Sequence, residues 1–230
     1  MHFGHSDEIW RDFPDLVPGV LLAEGVTDNV SVMSRTAKFS ALAIKRLEAG
    51  AEGEMPEIQA WRRTFSKMGL KPTQYRCASE SLLRRFRKER LLSPIHPLVD
   101  LCNSISLAFA IPVGVFDLSK IAEYMEVRYA RGTEAYATLS GAVENPEPGE
   151  VIFADGKARA HARRWTNWQS SYSAVGSETN RVLIVAEAVH AFAEADIHKL
   201  ITVVADELSA IWSIDPRSAI LTRQSPSFEL

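Results

Sequence analysis

Apolar residues recur along this chain with two different periods. In several segments they return every three or four positions, the spacing of helices with one buried face. Serine or aspartate can cap three of these segments, namely Ser34, Ser79 and Asp196, and glycine can end two of them, at Gly50 and Gly69. The pattern predicts five helices, over residues 35–50, 57–69, 79–92, 96–111 and 196–212.

Other segments are rich in β-branched and aromatic residues and are bounded by turn-forming residues, which is typical of strands. They predict strands over residues 19–26, 125–130, 134–140, 150–155, 158–164 and 181–189. Helices that precede a group of strands favour an α+β fold. The chain shows no repeat and no linker-like stretch, so we expect one α+β domain over residues 1–230.

The predicted helix over 96–111 is apolar on most sides but carries one polar stripe. Asp100, Asn103 and Ser104 lie three or four positions apart and therefore share a face. Buried polar groups need partners. This stripe either bonds to neighbouring backbone or lines a pocket, and the sequence leaves both interpretations open.

Composition and charge restrict the function classes. The chain carries 24% charged residues and a net charge of -3, so the protein surface as a whole does not favour binding to DNA. A contact with a polyanion would involve a local basic patch. No apolar run approaches the roughly 20 residues that span a bilayer, and the N-terminus lacks signal-peptide features, so we expect a cytoplasmic protein without a membrane partner. The histidines and the two cysteines do not have the spacing of metal ligands, so we expect no metal. The nucleophile-elbow motif of hydrolases, the phosphate-binding P-loop and the dinucleotide-binding glycine motif are also missing. We therefore expect no cofactor.

Residues 157–171 offer the clearest candidate chemistry. If 157–163 form a strand, its alternation puts alanines on one face and Lys157, Arg159, His161 and Arg163 on the other, which would make a cationic ribbon. Two tryptophans and several amide and hydroxyl side chains follow. Arginine can grip phosphate and tryptophan can stack on a base, so the segment suits a nucleotide-like or aminoacyl ligand. The alternative is an edge strand with solvated charges and both tryptophans in the core.

Residues 95–188 resemble the B3/B4 editing domain of the bacterial phenylalanyl-tRNA synthetase beta subunit. That family carries the pattern Pro-Val-Val-Asp-x-Thr-Asn on a helix, followed by Gly-x-Pro-x-His-x-Phe-Asp. Segments 125–141, 148–155 and 177–189 are similar to its later strands, in the same order. The matching positions of the first pattern are Pro97, Val99, Asp100, Asn103, Pro112, Phe116 and Asp117.

The resemblance implies where a pocket would lie and where this chain departs from the family. Asn103 falls on the family's pocket asparagine, Cys102 replaces its threonine and Gly114 replaces its histidine. The family's Gly-Gly-Glu loop has become residues 163–171, and the glutamate that recognises the tyrosine hydroxyl aligns near Ser171. Tyrosine recognition is therefore not expected.

The chain is also similar to free-standing members of this group, which place Arg-x-x-Ser-Glu-x-Leu-x-Arg-Arg ahead of the polar helix and Arg-Arg-Trp-x-x-x-Gln in the loop. The resemblance then covers about residues 70–190 and implies a mixed β-sheet core with flanking helices. The positions that match are Arg76, Glu80, Arg84, Arg85, Arg163, Arg164, Trp165 and Gln169.

The resemblance implies a trans-acting deacylase that hydrolyses the ester of a mischarged tRNA with a positioned water and no nucleophilic side chain. The expected catalytic residues, which would hold the ester, the water, the oxyanion or the terminal phosphate, are Asn103, Arg163, Arg164 and Gln169. The expected substrate contacts are Asp100, Cys102, Gly114, Trp165 (stacked on the terminal adenosine), Asn167 and Ser171. The expected tRNA contacts are Arg76, Arg84, Arg85 and Arg87.

Two other functions stay open. Without the family's histidine, the protein could be a non-catalytic module that binds tRNA or an aminoacyl-like ligand. An unrelated small-molecule enzyme could also reuse the pocket, because a fold does not fix a function.

Overall fold

The five predicted helices all form in the computed structural model, which describes residues 1–230. Their ends follow local chemistry. Pro56 and Pro97 begin two of them, because proline's missing N–H costs nothing in a first helical turn. Ring nitrogen Nδ1 of His96 caps the second by accepting a hydrogen bond from the Leu98 N–H at 3.2 Å. The helices are α1 (Asp7–Asp12), α2 (Met33–Ala49), α3 (Pro56–Lys67), α4 (Ala78–Glu89), α5 (Pro97–Phe109) and α6 (Ala193–Trp212).

Three predicted caps are wrong. Val32 and Cys77 stand at the N-cap positions of α2 and α4 instead of Ser34 and Ser79. Helix α6 begins at Ala193, three residues before Asp196, whose carboxylate accepts a hydrogen bond from His190 Nε2 at 2.8 Å instead of capping a helix.

The strands are more numerous and shorter than the pattern predicts. Only Tyr136 and Ala137 of the predicted strand 134–140 form a strand, while Ala135 makes an isolated bridge to Arg159. Ala158, at φ 53°, turns the chain before the strand predicted over 158–164 can begin. The ends of the chain and residues 113–117 add strands that the pattern does not show. The twelve strands are β1 (His2–His5), β2 (Val17–Glu24), β3 (Val113–Asp117), β4 (Met125–Tyr129), β5 (Tyr136–Ala137), β6 (Val143–Glu144), β7 (Val151–Asp155), β8 (Ala160–Arg163), β9 (Trp168–Gln169), β10 (Arg181–Ala188), β11 (Arg217–Ile220) and β12 (Ser227–Glu229).

These strands build two main sheets. The first is mixed, in the order β12-β1-β4-β7-β8-β9, since β1 runs parallel to β4 while the other pairs are antiparallel. The second is antiparallel, in the order β11-β2-β10-β3. A mixed sheet with six helices confirms the expected α+β class. None of the helices combines the length and apolar character that a membrane crossing requires.

Strand β10 separates two hydrophobic cores, and its two faces explain its apolar sequence. Leu183 and Val185 point into the core shared by the two sheets and α3. Val182 and Ile184, on the opposite face, belong to the core beneath α5 and α6. A strand buried on both faces reads as a continuous apolar run, which is why residues 181–189 show little alternation.

Helix α6 lies so close to strand β2 that a side chain is excluded at Gly19. A Cβ there would lie 2.5 Å from Ile201 Cγ1 and 2.7 Å from Ile197 Cγ2. Both isoleucines are almost wholly buried and belong to the apolar stripe predicted for this helix. Glycine at position 19 therefore sets the distance between helix and sheet.

We expect Gly19→Ala to lower the free energy of unfolding by about 1–3 kcal/mol, because overpacking a dense core forces side chains out of their preferred rotamers. Urea denaturation measures the change. Gly176→Ala is the control, since no atom lies within 4 Å of a Cβ built there. Equal stabilities for the two variants would contradict the close contact between α6 and β2.

Candidate functional site

The turn between β8 and β9 has an unusual backbone. Arg164 and Trp165 both adopt left-handed conformations, with φ of 46° and 59°. Such angles are uncommon for bulky residues and persist only where the surroundings enforce them. Here the Trp165 N–H donates to the Val151 carbonyl at 2.6 Å and the Ala78 N–H donates to the Thr166 carbonyl at 2.7 Å, so contacts with β7 and α4 hold the turn.

Trp165 is a core residue, and the expectation that it stacks on an adenosine is wrong. It has no exposed surface. Its indole meets the edges of Phe13 and Trp61 at centroid distances of 4.8 and 5.2 Å, and its Nε1 donates to Glu187 Oε1 at 3.0 Å. A side chain with its whole surface buried and its one donor satisfied is not available to a ligand.

Trp168 is the exposed tryptophan of the pair, with 56% of its surface accessible. The Arg164 guanidinium carbon lies 5.9 Å from the centre of the Trp168 ring and 4.6 Å from the centre of the Tyr75 ring. Both distances suit cation–π contacts. Arg164, Trp168 and Tyr75 together form an aromatic and cationic surface, which we call the Trp168 platform.

The expected cationic ribbon is wrong, because two of its four members are buried. His161 has no exposed surface and Arg163 only 4%. Arg163 binds Glu150 through two hydrogen bonds, of 2.6 and 3.0 Å, and Glu144 through a third of 2.7 Å. Burial acts to raise the pKa of Glu150, but the contact with Arg163 outweighs it and the pKa lies below its ordinary value. Three of the five N–H donors of Arg163 therefore bind carboxylates, and its burial keeps the guanidinium away from an oxyanion or phosphate.

Lys157 is the exposed member of the ribbon, and the other two members, Arg159 and His161, contact a carboxylate. Arg159 Nε donates to Asp155 Oδ2 at 2.9 Å, and His161 Nε2 lies 3.2 Å from the same oxygen. Burial acts to raise the pKa of Asp155, but these two neighbours outweigh it and lower the pKa. The alternation of charges in this segment thus reflects internal ion pairs and not a ligand surface.

A cleft of about 70 Å³ opens beside the turn, between the two sheets. Gly114 of β3 forms part of its wall, and Gln169 crosses it by donating from Nε2 to the Val115 carbonyl at 2.6 Å. We call it the hairpin cleft. Its other lining residues are Ala78, Pro112, Val113, Phe116, Phe153, Ala162, Trp165, Thr166, Asn167, Trp168, Val185 and Glu187. The structure thus brings together four predicted site residues: Gly114, Trp165, Asn167 and Gln169.

Two buried polar atoms in the lining have no partner within the protein. They are Thr166 Oγ1 and Asn167 Oδ1. The Asn167 Nδ2 group is already engaged, since it donates to the Arg76 carbonyl at 2.6 Å. An unpaired buried polar group costs about 1–3 kcal/mol, so these atoms favour a bound ligand or water in the hairpin cleft.

Glu187 is the one ionisable residue in the lining. It is 2% exposed and lies on β10. Its Oε1 accepts hydrogen bonds from Trp165 Nε1 at 3.0 Å and from His5 Nε2 at 2.7 Å. The sequence analysis did not identify Glu187 as a site residue. A carboxylate inside an apolar strand is nevertheless a sequence signal for a site, because such groups are seldom buried without a role.

Asn103 and Asp100 line a different cleft, so the expected convergence of Asn103 with the turn is wrong. This second cleft has a volume of about 460 Å³ and lies among α2, α5 and the end of α4. Asp100 Oδ1 accepts from the Ile95 N–H at 3.0 Å, and Ser104 Oγ donates to the Leu101 carbonyl at 2.7 Å. The polar stripe of α5 therefore does both things that the sequence allowed: it bonds to backbone and it lines a cleft.

The two remaining predicted substrate contacts lie outside both clefts. Cys102 is 1% exposed in the core beneath α5 and α6, and burial raises the pKa of its thiol to about 12. Ser171 Oγ donates to the Ala137 carbonyl at 3.4 Å. A buried neutral thiol cannot contact a ligand, so the assignment of Cys102 is wrong.

The four predicted tRNA contacts are all ion-paired. Arg84 and Arg87 bind the two oxygens of buried Glu52 at 3.2 and 2.9 Å, and Arg85 binds Glu89 at 2.9 Å. These three arginines nevertheless keep 45–48% of their side-chain surface exposed.

Arg76 has a different place. Its Nε lies 3.3 Å from Oε1 of Glu80, a carboxylate without exposed surface that Arg62 also binds. Because the Arg76 carbonyl accepts the hydrogen bond from Asn167, this buried cluster supports the turn.

One further cluster could supply ligand atoms to a metal. The nearest such atoms of Glu57, His190 and Asp196 lie within 4.8 Å of one another. Both carboxylate oxygens of Glu57 already accept hydrogen bonds from Arg46 Nη2, at 2.7 and 2.8 Å. The arrangement is that of an ion-pair cluster.

Comparison with known proteins supplies a family. The family model described as the B3/4 domain matches residues 60–206, more than half of the chain. Among solved structures, an N-terminal fragment of the phenylalanyl-tRNA synthetase beta subunit from Pyrococcus horikoshii is similar, with a TM-score of 0.47 and 10% identity over 96% of this chain. The match covers 54% of that fragment, so the chain spans about half its length. No curated protein matches the sequence.

The different burial of the two tryptophans predicts different effects on stability. We expect Trp165→Ala to lower the free energy of unfolding by about 3–5 kcal/mol, because it leaves a large cavity in the core. Trp168→Ala removes an exposed ring and should change stability by less than about 1 kcal/mol. Urea denaturation followed by circular dichroism compares them, and a larger loss for Trp168→Ala would contradict the packing of the turn.

Proposed function

Because the chain belongs to the B3/4 domain family, we propose that it binds the aminoacylated 3′ end of a tRNA in the hairpin cleft and hydrolyses the aminoacyl ester. The observation that carries this proposal is the pair of unpartnered polar atoms, Thr166 Oγ1 and Asn167 Oδ1, in a cleft bordered by the Trp168 platform. They supply hydrogen-bonding capacity where an aminoacyl group would enter, beside a surface on which a base can stack.

The chemistry of the two atoms suits an aminoacyl ester. Asn167 Oδ1 can only accept, and the α-ammonium group of the substrate is a donor. The Thr166 hydroxyl can donate to the ester carbonyl oxygen, where negative charge develops when water attacks. The ester C–O bond then breaks, releasing the amino acid and the ribose hydroxyl. No nucleophilic side chain of the protein takes part.

The Trp168 platform suits the terminal adenosine. Base stacking on an aromatic side chain contributes about 1–3 kcal/mol per base and tolerates any base. Arg164 is held against Trp168 and Tyr75, which would place a positive charge beside the terminal phosphate. Arg164 Nη2 lies 3.6 Å from Glu150 Oε1, a longer contact than those of Arg163, and 14% of the Arg164 side chain is exposed. In this proposal Arg164 keeps the phosphate role, and Trp168 takes the stacking role that the sequence suggested for Trp165.

Helix α4 would bind the phosphate backbone of the tRNA. It begins at Ala78, in the wall of the hairpin cleft, and its exposed arginines Arg84, Arg85 and Arg87 lie about 9–14 Å farther along the axis at 1.5 Å per residue. Contacts between these arginines and phosphates would make tRNA affinity fall steeply with salt concentration.

The size of the cleft restricts the amino acid. A cavity of about 150 Å³ can admit benzene in another protein. The hairpin cleft, at about 70 Å³, is about half that size and has apolar walls from Phe116, Phe153 and Val185. We therefore propose a small aminoacyl side chain as the substrate and not the ring of phenylalanine or tyrosine.

A second candidate function is binding without hydrolysis. It is favoured by Gly114, which has no side chain at the position where the family resemblance expects a histidine. In that case the protein would hold aminoacyl-tRNA in the same cleft without turnover.

Ester loss from a panel of mischarged tRNAs distinguishes the two functions. We expect tRNAs charged with small amino acids, such as alanine or serine, to lose the ester faster with the protein than without it. For tRNAs charged with tyrosine or phenylalanine, the protein should not change the rate of ester loss. Release of labelled amino acid gives the rate. Binding without release would favour the second function, and preferential release of tyrosine would contradict the size argument.

Variants locate the site. We expect Trp168→Ala to weaken binding of a small-residue aminoacyl-tRNA about 5–150-fold, the equivalent of about 1–3 kcal/mol of stacking, while Trp168→Phe keeps most of the affinity. Filter binding measures it. Asn103→Ala is the control, because Asn103 lines the second cleft. A larger loss with Asn103→Ala than with Trp168→Ala would move the site to that cleft.

A further inference from the structure

We infer that Glu187 is the general base that activates the hydrolytic water, and that His5 and Trp165 are the residues that position it. The inference rests on the proposed ester hydrolysis. Glu187 is the one ionisable residue of the hairpin cleft, and the proposed function gives it no role so far.

The position of Glu187 is set by the period of its strand. In β10, residues 183, 185 and 187 face the space between the two sheets. Leu183 and Val185 are apolar, as that core requires. The next residue of this face is Glu187, whose charge lies in a nearly dry region. Burying a charge there has a large free-energy cost unless the charge is paired and hydrogen-bonded. Only a partner or a function explains such a residue.

The partners engage only one side of the carboxylate. Trp165 Nε1 and His5 Nε2 both bind Oε1. Since a carboxylate oxygen can only accept, both nitrogens donate. Oε2 makes no hydrogen bond within the protein, and Glu187 lines the hairpin cleft. The carboxylate is thus fixed at one oxygen and free at the other, the arrangement of a base that needs a set orientation and an open lone pair.

The hairpin cleft has room for the water. A water molecule needs about 10–15 Å³ of such space and two or more polar partners. The hairpin cleft offers about 70 Å³. In this inference Glu187 Oε2 is one polar partner of the water, and the hydroxyl of Thr166, which has no partner within the protein, is a second.

The step balances without any other reactant. Glu187 Oε2 takes a proton from the water as the water oxygen attacks the ester carbonyl carbon and forms a tetrahedral intermediate. The bond from that carbon to the ribose oxygen then breaks, and the ribose oxygen receives the proton from Glu187. The products are the free amino acid and a tRNA with its terminal hydroxyl restored, and Glu187 is again a carboxylate.

The positioning residue His5 lies in β1, outside residues 60–206 that the family model matches. The arrangement therefore depends on this chain's own N-terminal strand. His5 is 5% exposed and its ring lies 5.4 Å from Phe3 and 5.3 Å from Trp10, so packing as well as the hydrogen bond fixes its orientation.

Glu187→Gln tests the inference, because the amide oxygen can still accept from His5 and Trp165 while the proton acceptor is lost. With the full-length protein and a small-residue aminoacyl-tRNA, we expect ester loss to slow at least about 100-fold. Affinity for an adenosine carrying an amide-linked alanine at its 3′ position should stay within about twofold.

Glu207→Gln is the matched control, since Glu207 is another buried glutamate but lies on α6, away from the hairpin cleft. It should hydrolyse at the wild-type rate. A folded Glu187→Gln protein that hydrolyses at the wild-type rate would overturn the inference and leave the proposed function intact. A wild-type protein that binds the amide analogue but releases no amino acid would overturn the proposed hydrolysis itself.

If Glu187→Gln fails to fold, Glu187→Asp keeps a carboxylate on a shorter side chain. We then expect slower ester loss, because the carboxylate is moved back by one methylene group from the water, while affinity for the amide analogue stays within about twofold. Ester loss at the wild-type rate in Glu187→Asp would overturn the inference.

Discussion

The site depends on one buried carboxylate that ties the two sheets together. Glu187, on β10 of the antiparallel sheet, accepts hydrogen bonds from His5 on β1 of the mixed sheet and from Trp165 on the turn after β8. Burying a charge is costly, and these two donors offset that cost. With the Trp165 indole anchored, the turn takes up its left-handed backbone, Trp168 points to solvent, and Thr166 and Asn167 face the cleft.

The helices and the α+β class could be predicted from periodicity because one face of each helix is buried. The stripe of α6 illustrates this, since its expected members are buried except for Ile211, which is partly buried: Ile197, Leu200, Ile201, Val204 and Leu208. The short strands could not be predicted in the same way. β3 has only five residues and follows directly on an apolar helix, and β1 and β12 owe their strand conformation to pairing between the two ends of the chain.

The candidate site was found in part from sequence. The segment with two tryptophans indicates an unusual surface, and Gly114, Asn167 and Gln169 do line one cleft. Which tryptophan is exposed depends on the turn, where left-handed residues break the alternation, and no local pattern reports that. The charge of Arg163 was misleading for a related reason. Its partners Glu144 and Glu150 lie more than ten residues earlier in the chain, and only the tertiary structure brings them together.

The most direct test of the account is whether an aminoacyl-adenosine occupies the hairpin cleft. Titration of isotopically labelled protein with an amide-linked alanyl-adenosine, followed by NMR, reports each side-chain amide and indole separately. The account predicts shifts at the Trp168 indole and the Asn167 and Gln169 amides, with the Asn103 amide unchanged. Shifts at Asn103 with none at the turn would contradict it.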